Sequence, residues 1–69
     1  MLAVFKQDGH VIATMDVDIL PEINRKVLLP AVNSKVRRHY KVADIEYDYQ
    51  PIKIADHQMY VCVAQVEVI

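Results

Sequence analysis

The sequence predicts an all-β fold, a small five-stranded barrel built around long bent strands. Three observations predict it. The last eleven residues alternate, with Tyr60, Cys62, Ala64, Val66 and Val68 apolar on one parity. On the other parity Met59, Val61 and Val63 are apolar while Gln65 and Glu67 are polar, so the first half of this strand needs cover on both faces. Near the other end, Asp8-Gly9 is a two-residue hairpin signal, because a type I′ turn demands positive φ at both positions. Between them, Val36 to Tyr49 is a β-type run in which Val36, Tyr40 and Val42 keep one parity and Ile45, Tyr47 and Tyr49 the other. That phase slip near Ala43-Asp44 is what a β-bulge produces.

Taken in order, the first element is a hairpin in which Gln7 faces His10. A regular ladder then places Leu2, Val4 and Lys6 on one face with Val11, Ala13, Met15 and Val17. Ala3, Phe5, Ile12, Thr14 and Asp16 fall on the other face, with Phe5 opposite Ile12. Asp18 to Arg25 reads as a loop around Leu20-Pro21, Lys26 to Leu29 as a short strand closed by Pro30, and Asn33-Ser34-Lys35 as a turn. Val36 to Tyr49 follows, too long for a domain this small unless it bends, and Gln50-Pro51 marks its end. Residues 52–57 form a connection with a polar tip, and Met59 to Ile69 closes the sheet. Curling such a sheet into an SH3-like or OB-like barrel removes its edges. A competing α+β reading, ββαββ, places a helix in 19–29 or 31–39, with Pro21 in its first turn and Ile23, Val27 and Leu28 as its apolar stripe.

The order Leu20-Pro21, Val27-x-Leu29-Pro30, Tyr40-x-Val42-x-x-Ile45-x-Tyr47 and Tyr60-Val61-x-Val63 resembles small β-barrel proteins found in phages and their hosts. Asn24 stands where that family's LP-x-x-G-x-x-V pattern has glycine. The resemblance spans most of the chain and implies the barrel fold and a phage or mobile-element origin. It implies no activity.

The 69 residues make one domain, 1–69, with one cysteine and therefore no internal disulfide. A fold of this size rests on a lean core or on self-association. Cys62 in an apolar strand suits a reducing compartment. The short apolar start, broken by Lys6 and a turn, reads neither as a signal peptide nor as a membrane span. The expectation is a cytoplasmic protein with no membrane role.

Net charge is −1, yet six of the eight basic residues (Arg25, Lys26, Lys35, Arg37, Arg38, Lys41) fall in one stretch without an acid between Arg25 and Lys41. With Tyr40 among them, they are the candidate nucleic-acid contact: cations release counterions from phosphates and an aromatic ring stacks on a base. Asp44, Glu46 and Asp48 line one strand face, spaced too widely for three ligands on one ion. His10, His39 and His57 lie in unrelated elements, and no glycine-rich loop or nucleophile motif is present. The sequence therefore points to no metal, no cofactor and no catalysis. The feature with most weight is the surplus of apolar residues. Phe5, Ile12, Met59, Val61 and Val63, rimmed by Tyr47 and Tyr49, form the candidate protein interface. They are to be covered either internally by Ile19, Leu20, Ile23 and Leu28 or by a partner, a second copy or another protein.

Overall fold

The computed structural model describes residues 1–30 and 35–69, so the expected turn at Asn33-Ser34 lies outside the described residues. Within them the chain is all-β and contains no helix. The strands are β1 (Leu2–Gln7), β2 (His10–Asp16), β3 (Lys26–Pro30), β4 (Arg37–Ile54) and β5 (His57–Val68). They form one mixed sheet in the order β2-β1-β5-β4-β3, parallel only between β1 and β5.

The first turn forms as its residues require. Asp8 and Gly9 both have positive φ, 51° and 80°, and Gln7 pairs with His10. The faces of the hairpin differ from the regular ladder. The register shifts between Phe5 and Lys6, so Phe5 pairs with Ala13 and Lys6 with Val11, leaving Ile12 as the extra residue of a bulge. Phe5 and Ile12 are therefore not opposite partners. Ala3 and Phe5 instead share a face with Ala13 and Met15, because one inserted residue reverses every side chain beyond it.

The 19–29 helix does not form. Residues 22–25 make a turn closed by the Arg25 N–H donating to the Glu22 carbonyl at 3.2 Å, with Asn24 at φ 72°. A single positive φ at the third position defines a type II turn, which takes Gly or Asn there. Beyond it, β3 pairs with the start of β4, Lys26 across from Lys41 and Leu29 from Arg38. The other helical alternative, 31–39, is contradicted where the chain is described, since β4 begins at Arg37.

β4 bends where the phase slips, with a register shift between Val42 and Asp44. It then runs past Gln50-Pro51 to Ile54, pairing through to His57 across a two-residue turn. The predicted strand end and the 52–57 connection are thus replaced by a continuous hairpin. Pro51 is tolerated because its backbone nitrogen faces away from β5, where no strand needs its missing N–H. Straight, 18 residues would span about 59 Å at roughly 3.3 Å each. The longest dimension of the molecule is 43 Å.

The core lies on one side of the curled sheet. Ala3, Phe5, Leu29, Val42, Ala64, Val66 and Val68 are buried, with Ile12, Ala13, Met15, Val17, Leu20, Val27, Tyr40 and Ile45 packed against them. Every strand contributes, and Val17 and Leu20 reach in from the β2–β3 connection. The sheet is not closed into a barrel: β2 and β3 are its two edges and no ladder joins them.

Two outcomes follow. Replacing Asn24 with Val forces a β-branched residue into the left-handed region and lowers stability by about 1–2 kcal/mol, whereas Asn24→Gly leaves stability near wild type; urea unfolding of the two variants measures the difference. Phe5→Ala, at a site only 2% exposed, costs about 3–5 kcal/mol, and loss of the cooperative transition at 25 °C checks it.

Candidate functional site

The β4–β5 hairpin outgrows its neighbours. β1 reaches β5 only from Val63 onward, and the β3 ladder reaches β4 only as far as Lys41, extended by hydrogen bonds of Val42 with Asn24 and Arg25. Residues 49–62 therefore project as a two-stranded arm. Its effect on shape is direct: the radius of gyration is 13.6 Å against roughly 11 Å for a compact chain of this length.

Strand alternation divides the arm's side chains between two faces, and both carry exposed apolar residues. Tyr49, Pro51 and Tyr60, with Tyr47 just before the arm begins, share the face that continues from the core. Ile52, Ile54, Met59 and Val61 share the opposite face. All eight are exposed, Tyr60 at 64%, Met59 at 51% and Val61 at 38%. At the arm's tip the Gln58 amide donates to the Tyr60 hydroxyl at 3.2 Å, and nearer its base the Gln50 amide donates to Asp48 at 3.0 Å.

The candidate interface residues consequently split. Met59 and Val61 lie together on the arm, with Val63 at its root buried where β1 begins. Tyr49 occupies the arm's other face, with Tyr47 on the same side just before the arm begins. Phe5 lies in the core and Ile12 packs against it, so neither adds to this surface. The expected internal cover is also divided. Leu20 packs on the core, while Ile19, Ile23 and Leu28 stay exposed. Sequence reasoning missed Ile52 and Ile54, whose signal was their period-2 spacing beyond Pro51.

The charged residues segregate along β4. On the face shared with Met59 and Val61, Arg37, His39 and Lys41 precede the bulge and Asp44, Glu46 and Asp48 follow it. Across the ladder Lys26 faces Lys41, a like-charge pair that costs stability unless something anionic relieves it. Arg38 lies on the core-side face with Tyr40. Arg25 is 3.7 Å from Glu22, and Lys35 is exposed. Beyond the bulge, Lys6, Asp44, Glu46, Gln65, Val66 and Glu67 line a shallow groove of about 230 Å³. Asp44 faces Glu67 across the ladder, and the buried Gln65 Oε1 has no hydrogen-bond partner among the described residues. Among the described residues no group of three His, Cys, Asp or Glu side chains is placed to hold a metal ion. Cys62 is a half-buried free thiol at the arm's root.

Compared with known proteins, the chain matches no family model, no curated protein and no solved structure.

Proposed function

We propose that this chain is a non-catalytic protein-interaction module that self-associates, with the β4–β5 arm as its working surface. The observation that carries the reading is that the arm is two-stranded and exposes apolar side chains on both faces. A two-stranded hairpin is marginally stable alone in water; three or more strands with a covered face are needed. Burying side chains such as Ile52, Ile54, Met59 and Val61 is worth roughly 1.5–3 kcal/mol each, comparable with the few kcal/mol that a core of this size supplies. Tyr47, Tyr49 and Tyr60 add the aromatic anchors on which interfaces concentrate their energy. The free thiol of Cys62 suits the reducing interior of a cell.

Light scattering over a concentration series tests the reading. Wild type is expected to be a dimer or larger at micromolar concentration, and Val61→Asp a folded monomer. The residue is partly exposed, so its charge disturbs the surface and leaves the core intact. A Val61→Asp protein that keeps the wild-type mass overturns the assignment of this surface.

The Lys26–Lys41 pair favours a second reading, single-stranded nucleic-acid binding by Lys26, Arg37, His39 and Lys41, with Arg25, Lys35 and Arg38 at the margin. Binding of a fluorescent oligonucleotide would then weaken with salt, log K falling by about 0.7 per phosphate neutralised for each unit of log salt. No binding at 20 mM salt disposes of it.

A further inference from the structure

We propose that the arm's open β5 edge, His57–Val61, pairs antiparallel with the same edge of a second copy, so that two arms join into a four-stranded sheet. This rests on the self-association reading and specifies how it occurs.

The direction of the backbone groups follows from the ladder. Lys41 and Ile69 exchange both their hydrogen bonds, at 2.9 Å each, so Ile69 turns its backbone toward β4. Alternating back along β5, the residues from Glu67 to His57 at every second position do the same. The hairpin end agrees, because His57 and Ile54 flank a two-residue turn and must be a hydrogen-bonded pair. Pro51 agrees as well: it lies opposite Tyr60, at a position where neither residue bonds to the other. Gln58 and Tyr60 therefore point their N–H and C=O groups away from β4, and β1 starts only across from Val63. These groups form a free pairing edge.

The molecule's other edges are guarded. The open side of β4 beyond the bulge carries Asp44, Glu46, Asp48, Lys53 and Pro51. Pairing it with itself would set carboxylates against carboxylates, and Pro51 interrupts the donors. β3 is five residues long, starting at Lys26 and ending at Pro30, and β2 ends at Asp16 and carries the bulge at Ile12, which twists its edge out of line for pairing. Charges, prolines and short length are the devices by which sheets block edge pairing. The segment His57-Gln58-Met59-Tyr60-Val61 has no Asp, Glu, Lys, Arg, Pro or Gly. Set against its own copy it meets no like charge, which is the reason to assign a second copy rather than a charged partner.

The free window also selects the register. Outward residues must face outward residues, and β1 blocks the edge from Val63 onward. A two-fold axis at Met59 satisfies both conditions. Gln58 of each copy then pairs with Tyr60 of the other in about four hydrogen bonds. Met59 faces Met59 and His57 faces Val61 on one side of the new sheet. The tyrosines gather on the other side.

Charge at the axis tests this. Met59 is half exposed, so Met59→Lys and Met59→Glu should both fold. Each alone sets like charges together across the axis and is expected to be monomeric at concentrations where wild type is dimeric, while an equimolar mixture recovers the dimer mass. Amide exchange of wild type is expected to slow at Gln58 and Tyr60 with rising concentration. If wild type is dimeric and both variants stay dimeric alone, or their mixture stays monomeric, the edge pairing is overturned while self-association stands. If wild type is monomeric at every concentration, both are overturned.

Discussion

The structure depends on the pairing of β4 with β5. Their ladder runs from Val42–Val68 to Ile54–His57, and the rest of the sheet is added to its flanks. β5 receives β1 in parallel on one side, and β4 receives β3 on the other. Val42, Ala64, Val66 and Val68, all fully buried, belong to the stretch where β1 or β3 flanks this hairpin. Where the neighbours stop, burial stops. From residue 49 to residue 61 every side chain is exposed. The same two strands thus supply the centre of the core and the least protected part of the molecule.

This division follows from chain length. A domain this small buries only about 60% of the surface its unfolded chain exposes, and here strand length is spent beyond the core. β1 and β3 are too short to accompany the hairpin to its end. The β2–β3 connection contributes Val17 and Leu20 to the core, and its remaining residues close the Asn24 turn. Nothing among the described residues lies over the arm. An apolar two-stranded projection is costly in a solitary chain, and the proposed edge pairing would complete it with a further strand.

Charge is ordered by the same ladder. The bulge at Ala43-Asp44 separates the cationic third of β4 from its acidic middle, and the apolar arm follows. Three surfaces of different chemistry therefore succeed one another along a single strand. The acids beside the bulge keep the β4 edge unsuited to self-pairing, and the uncharged edge lies across the arm on β5. Edge protection and edge availability are consequently placed on opposite sides of one hairpin.

Much of this was legible in the sequence because it is local. Asp8-Gly9 requires its turn through φ, the change of parity near Ala43-Asp44 marks a bulge, and Pro30 closes a short strand. The alternation from Met59 onward identified β5 and the double-sided apolarity of its first half. Tertiary structure decided the rest. The bulge at Ile12 is invisible to a pattern in which both parities are apolar, so only packing against Val66 and Ala64 could assign Phe5 to the core. Pro51 resembles a strand end until β5 covers one side of it and leaves the other open. Whether strand edges meet in a barrel depends on the length and direction of neighbours far apart in the chain, which local spacing does not encode. For the same reason Met59 and Val61 were recognisable as apolar residues in need of cover, while their separation from Phe5 and Ile12 was settled by the sheet order.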